Sequence, residues 1–218
     1  MNKVLVIAVH PDDETLGCGG TLLKHKSKND QIHWLICTNI NKEHPYYDVR
    51  QKEIQKVQKM YDFDSTHQLN LPTMKIDEYS FSYLIDKISA VINEIKPNII
   101  YLPFKSDVHS DHRKIFEASF SCTKSFRYPF IKKIYMMETL SETEFSPSTK
   151  EDAFVPNVFV DISNFFDLKL KIVTIFKSEI NLHPFPRSLK NIEALATLRG
   201  ATSNCTYAES FMLLKEIK

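Results

Sequence analysis

The chain has 218 residues, of which 43% are hydrophobic and 25% charged, the make-up of a globular protein long enough for one sizeable core. Its formal net charge is +1 at pH 7, which excludes the strongly basic domain or stripe of a nucleic-acid binder. The four cysteines stand far apart with no CxxC pair, no segment is long enough for a membrane span, and the apolar run before His10 is too short for a secretory leader; free thiols and a cytoplasmic location are expected.

In chain order, residues 3–9 (KVLVIAV) read as a strand that is apolar on both faces, as buried parallel strands are. A helical spacing follows over 16–28 (Leu16, Leu22, Leu23), then a second strand over 31–38. Val49, Ile54, Val57 and Met60 lie among charges and predict an amphipathic helix over 46–61. A short third strand is predicted over 66–71, and a helix over 79–95 with Leu84, Ile88, Val91, Ile92 and Ile95 on its apolar face. Residues 98–104 read as a fourth strand, 110–124 as a helix and 132–138 as a fifth strand. The pattern breaks over 140–157, a loop with Pro147 and Pro156. A short strand over 158–161, a helix over 163–179 capped by Ser163, and a helix over 189–199 capped by Ser188 and ended by Gly200 complete the reading. Strands alternating with helices predict an α/β fold, a Rossmann-like, mostly parallel sheet with helices on both faces in a single domain over 1–218. Functional groups of such sheets gather at the carboxyl ends of the strands.

Two motifs fall there. HPDDE, residues 10–14, leaves the first strand. Carboxylates packed that closely repel one another unless a positive charge sits among them. An imidazole and a carboxylate three residues apart, His10 and Asp13, suit a metal at ~2.0–2.2 Å. Asp12 between them faces the other way and is placed to act as general base. The competing account is a charged first helical turn favoured by the helix dipole. The second motif, DVHSDHR at 107–113, leaves the fourth strand. One of His109 and His112 completes a His-Asp-His set with an open water position, the mark of a catalytic zinc site. The other stays free as acid or transition-state stabiliser, oriented by Asp111. A polar turn with a helix cap is the structural alternative. Gly17, Gly19 and Gly20 follow the first strand, but GCGG fails the G-x-G-x-x-G dinucleotide fingerprint.

AVHPDDETLGCGG together with DVHSDHR resembles the PIG-L/LmbE-like family of zinc-dependent N-acetylglucosamine-type deacetylases. The resemblance continues through RQKE at 50–53, METLSETEF at 137–145, HPFPRS at 183–188 and LATLRGATSNCTYAESF at 195–211. It implies a Rossmann-like fold without a dinucleotide and a small-molecule N-acetylated sugar or glycoconjugate as substrate. It also implies zinc held by His10, Asp13 and His112. Asp12 would be the base that activates the zinc-bound water. His109 would stabilise the oxyanion or protonate the leaving amine, with Asp111 as its partner, and Arg50 would contact a sugar hydroxyl. Asn204 and Cys205 stand where related sequences often have glycine. A non-sugar amide, or a binding protein with a lapsed site, are the rival functions. Iron(II) or another divalent ion satisfies the same ligands. His183 and Arg187 read as a structural corner and Tyr207 as a core residue, and homo-oligomers are common among such enzymes.

Overall fold

A computed structural model describes residues 1–218. The strands are β1 (Lys3–Ala8), β2 (Gln31–Asn39), β3 (Ser65–Pro72), β4 (Ile99–Leu102), β5 (Lys133–Met137), β6 (Val158–Asp161) and β7 (Ala208–Glu216). They form one sheet in the order β3-β2-β1-β4-β5-β7-β6. The first five run parallel, and β7 pairs antiparallel with both β5 and β6. The helices are α1 (Asp13–Ser27), α2 (Tyr47–Tyr61), α3 (Phe81–Ile95), α4 (Ser110–Ser121), α5 (Phe166–Val173) and α6 (Leu189–Ser203). No helix is long and apolar enough to cross a membrane.

β1 is apolar without alternation because both its faces are covered. Val4, Val6 and Ala8 pack with Trp34 of β2, Cys18 and Leu22 of α1 and Ile54 and Val57 of α2. Leu5, Ile7 and Val9 pack on the other face with α3 and α4, through Leu84, Ile88, Ile92 and Ile115. Each side chain of this kind contributes about 1.5–3 kcal/mol on full burial. A third cluster, centred on Leu16, Ile162, Phe166 and Ile192, fastens α5 and α6 to α1.

Three expectations need correction. The helix expected over 163–179 is only Phe166–Val173, and Ser163 does not cap it. Ser163 bonds Asp161 instead. The chain leaves the helix because Ile175 and Phe176 turn into the core while Glu179 is drawn to Arg50 and Arg187. Gly200 does not end the last helix, which runs to Ser203 with Asn204 in the left-handed capping conformation at φ 59°. Gly200 is required there because the returning backbone crosses it: a Cβ would lie 2.6 Å from the carbonyl oxygens of Cys205 and Thr206. The tail then forms β7, a strand the sequence reading lacks. The four cysteines are free, three buried and Cys205 half-buried.

Candidate metal centre and active site

β1 and β4 are neighbours and parallel, with Val4 opposite Ile99 and Val6 opposite Tyr101. Between them the strand order reverses direction, the switch point where sheets of this class open a crevice. The two motifs that follow these strands therefore meet, although they are a hundred residues apart in sequence.

The first motif is built backbone first. Asp12 has φ 137°, a conformation costing a side-chain-bearing residue about 1–3 kcal/mol. Glu14 holds it there: the fully buried Glu14 carboxylate accepts the Asp12 N–H at 3.1 Å and the Thr15 hydroxyl at 2.6 Å. The carbonyl of Asp12 then accepts the first N–H groups of α1, from Thr15 and Leu16 at 2.9 Å. Asp13 turns back onto the strand exit, where its Oδ2 accepts the N–H groups of Val9 at 2.9 Å and His10 at 2.7 Å. A kink at Cys18 separates this first turn from the rest of α1. Beyond the kink Glu209 accepts the N–H groups of Gly20 and Thr21, and Lys169 neutralises it at 2.7 Å.

The second motif opens α4. Nδ1 of His109 accepts the Asp111 N–H at 3.1 Å, so this histidine caps the helix. His112, one turn on, is fully buried and points back at the first motif. Its Nε2 lies 3.3 Å from Nδ1 of His10 and 3.3 Å from Oδ2 of Asp13, and His10 and Asp13 are 3.8 Å apart through the same atoms. Tetrahedral bonds of ~2.0–2.2 Å put ligand atoms ~3.3–3.6 Å apart. The three groups therefore fit one divalent ion. Buried Nε2 of His10 and Oδ2 of Asp12 lack hydrogen-bond partners.

Charge at the centre follows from burial and proximity. Burial drives the Asp12 carboxyl well above its usual range, the adjacent Asp13 adds to this, and Arg187, 3.6 Å away, opposes it. Burial also pushes at Asp13, but the His112 imidazole overrides it and holds that carboxyl below its usual range. Burial works against a charged His112, yet Asp13 and Asp107 raise it well above an ordinary histidine. The cluster thus demands a positive charge, and a bound cation meets the demand in place of that proton. Burial, with His10 and His112 nearby, lowers His109 to about 4. Burial, with Asp13 adding to it, pushes Glu14 up to about 8 against the hydrogen bonds it accepts from Thr15 and Asp12.

His10, Asp12 and His109 line a cleft of about 250 Å³, together with Arg50, Glu142 and Arg187. Arg50 is nearly buried. It donates to the Pro11 carbonyl at 3.3 Å and Ser178 at 2.9 Å, and it pairs with Glu179. Asp111 takes a different place from the one expected. Its Oδ2 accepts the Met74 N–H at 2.7 Å and lies 3.5 Å from His10, not against the ring of His109. The carboxylate set against a histidine of the second motif is Asp107, whose Oδ2 is 2.8 Å from Nδ1 of His112 and whose Oδ1 accepts the Thr143 hydroxyl at 2.7 Å. Sequence reasoning missed Asp107, although DVHSDHR contains it. It also missed Glu179, which bridges Arg50 and Arg187, and it left Arg187 as a corner residue although its guanidinium faces Asp12.

The family model described as PIG-L: GlcNAc-PI de-N-acetylase matches residues 5–123, over half the chain and both motifs. An uncharacterized deacetylase of Escherichia coli K12, YaiS, is 29% identical over 184 residues, covering 80% of this chain and 90% of its own. The structure of N,N'-diacetylchitobiose deacetylase from Pyrococcus horikoshii superposes with a TM-score of 0.76 at 20% identity, over 98% of this chain and 84% of its own. A 4-carboxy-2-hydroxymuconate hydratase from Pseudomonas putida KT2440 superposes equally well, with a TM-score of 0.77 at 14% identity over 100% of this chain and 98% of its own. The fold therefore carries more than one chemistry, and the site has to decide between them.

Proposed function

The chain belongs to the PIG-L: GlcNAc-PI de-N-acetylase family, and on that premise we propose that it is a zinc-dependent hydrolase removing the N-acetyl group from an N-acetylglucosamine-type sugar or sugar conjugate. One observation carries the reading: His10, Asp13 and His112 converge on one point, beside a buried Asp12 carboxylate oxygen that accepts no hydrogen bond and has Arg187 3.6 Å away. A lapsed binding site has no use for a base kept beside a complete ligand set.

His10, Asp13 and His112 would hold the zinc ion, which would supply Lewis acidity toward an acyl oxygen and bring the acidity of water near neutrality. Asp12 Oδ2 takes the proton of the attacking water; burial works against its charged form, and Arg187 beside it and a cation at the centre would oppose that effect. His109 acts as a neutral donor. Its Nδ1 is occupied by the Asp111 N–H, so its proton sits on Nε2, where it bonds the oxyanion of the tetrahedral intermediate. Asp12 then returns its proton to the departing nitrogen. The C–N bond breaks, releasing acetate and the free amine. Asp107 positions His112 through the ring nitrogen that does not face the ion, and Asp111 lies 3.5 Å from the corresponding nitrogen of His10. Arg50 contacts a sugar hydroxyl through Nη1, whose hydrogen bond to Pro11 is long at 3.3 Å and which also faces Glu53 at 3.6 Å.

We read residues 1–218 as one such catalytic domain. Four free cysteines accord with a reducing compartment, the cytoplasm. The test is acetate release from a panel of N-acetylated sugars, nucleotide sugars and glycosides, run as purified, after chelation and after adding back Zn²⁺. Release from a panel member, lost on chelation and restored by zinc, is the expected result. An enzyme that binds zinc, spares every sugar and cleaves a non-sugar N-acyl amine contradicts the substrate class.

A further inference from the structure

Lys24, His25 and Lys28 of α1 face Tyr101 of β4, Tyr135 of β5 and Phe159 of β6 across a cavity of about 490 Å³. The cavity lies at the amino ends of the parallel strands, where Asn2, Ile99 and Lys133 also line it. The metal centre is at the other end of the sheet, ~20 Å away along the six residues of β1. We propose that this cavity is a second ligand site, and that it takes a planar ring carrying a phosphate, a molecule the size of a mononucleotide. The site shares no lining residue with the metal cleft and does not depend on the deacetylase reading.

Three observations carry this. First, the walls are held apart by a satisfied polar chain. Oδ2 of Asp30 is 2.8 Å from Nδ1 of His25, and the Tyr101 hydroxyl is 3.0 Å from Nε2. Burial holds His25 below an ordinary histidine, so the ring is neutral near pH 7: Nδ1–H donates to the carboxylate and Nε2 accepts the Tyr101 O–H. Asp30 also accepts the backbone N–H of Asn2 at 2.6 Å and its side-chain amide at 3.1 Å. The chain ties α1 to the start of β1 and to β4. Closing the gap between helix and sheet would break it, and buried polar chains are costly to break.

Second, the helical wall carries a surplus of donors. Thr21, Lys24, His25 and Lys28 recur at the spacing of one helix face. Lys28 is exposed and in no ion pair, and Lys24 has one bond, to the Asp161 carbonyl at 2.7 Å. The carboxylates of the lining are already engaged. Asp30 is held as above, and Oδ1 of Asp161 accepts the N–H and hydroxyl of Ser163 at 2.9 and 2.6 Å. Lys133 is paired with Glu216 at 3.1 Å. The spare groups are therefore the ammoniums of Lys24 and Lys28, one turn apart, which can meet the oxygens of one phosphate as point charges. Thr21 stands beside them. It is only 2% exposed, and its hydroxyl has no partner. A buried hydroxyl left without a bond at the edge of a cavity calls for a ligand atom.

Third, the sheet wall is aromatic. The rings of Tyr101 and Tyr135 stack with centroids 5.2 Å apart and 17° between their planes. Tyr135 and Phe159 are half-buried, so they keep ring surface toward the cavity. Aromatic faces opposite lysines are the arrangement that stacks a planar ring while its phosphate is neutralised.

The experiment measures binding of adenosine 5'-monophosphate, adenosine and ribose 5-phosphate by calorimetry, on wild type before and after chelation of its metal. The monophosphate should bind about tenfold tighter than either fragment, the worth of one stacked ring or one neutralised phosphate, and equally well with and without metal. Lys24→Gln/Lys28→Gln should weaken the monophosphate about tenfold and leave adenosine unchanged. Raising the salt should erode the same difference. Thr21→Val removes a hydroxyl that bonds nothing in the free protein, so Tm should hold while the monophosphate binds about fivefold more weakly. Absence of monophosphate binding, binding that disappears on chelation, or affinity untouched by both the lysine and the Thr21 variants each overturns the site. Ribose 5-phosphate binding as tightly as the monophosphate overturns the ring, and adenosine doing so overturns the phosphate.

Discussion

Oδ2 of Asp107 sits 2.8 Å from Nδ1 of His112, and neither side chain is exposed to solvent. The bond fixes the tautomer: Nδ1–H donates to the carboxylate and leaves Nε2 free toward His10 and Asp13. Asp107 is in turn held by the Thr143 hydroxyl, so the loop after β5 reaches the metal centre through two side chains. Asp107→Asn should therefore weaken zinc by 10–100-fold, the usual effect of losing a ligand's outer partner. Titration against a competing chelator measures this. An unchanged affinity would mean that His112 is not a ligand.

Arg50 is the hub on the opposite wall. It ties α2 to Pro11 in the first motif and to Ser178 and Glu179 beyond α5. Arg50→Ala leaves the buried Glu53 without its ion-pair partner at 3.6 Å and Glu179 with one arginine in place of two, and should cost about 3–5 kcal/mol, as breaking a buried pair does. Urea unfolding gives that number. Arg50→Lys should retain much of the stability but raise KM, since an ammonium cannot reproduce the fork.

Lys169 and Glu209 form a second buried pair, 2.7 Å apart, that secures α1 beyond its kink. Lys169→Ala is expected to destabilise the chain by about 3–5 kcal/mol, while Lys169→Met/Glu209→Gln together should cost less than the sum of the single changes. Additive costs in that double-mutant cycle would show that the two do not act as a unit.

Burial lowers His25 below an ordinary histidine, although Asp30 at 2.8 Å opposes it. The unfolded chain therefore binds more protons at this site between the two pKa values. The contribution of His25 to stability is present above about pH 6.5 and is lost as pH falls through its folded value. The unfolding free energy of wild type minus that of His25→Gln should thus shrink between pH 7.5 and pH 5. A difference that is flat with pH would place the titration elsewhere.

Much of this was legible in the residues because the parallel core repeats one rule. The unbroken apolar run of β1 and the spacing of Leu84, Ile88, Val91, Ile92 and Ile95 in α3 appear in the fold as the sequence predicts. The two motifs were legible because each directly follows a strand. What was not legible depends on contacts distant in sequence. Gly200 looked like a helix end, but its lack of a side chain serves the backbone of Cys205 and Thr206. β7 is half exposed and antiparallel, so it lacks the strong apolar signature of the central strands. Glu179 and Arg187 reach the site only because the chain leaves α5 early, which no periodicity announces. Asp111 lies in a motif that suggests a partnership with His109, yet α4 uses its N–H for that contact and turns its carboxylate to His10.

The most direct test of the account measures zinc content and acetate release together in wild type, Asp12→Asn and His112→Ala. Wild type should hold one zinc per chain and release acetate. Asp12→Asn should keep the zinc and lose ~10²–10⁴-fold in rate, the contribution of a positioned general base. His112→Ala should lose both. Full release by Asp12→Asn at full zinc occupancy would contradict the central claim that the buried Asp12 carboxylate is the base of this site.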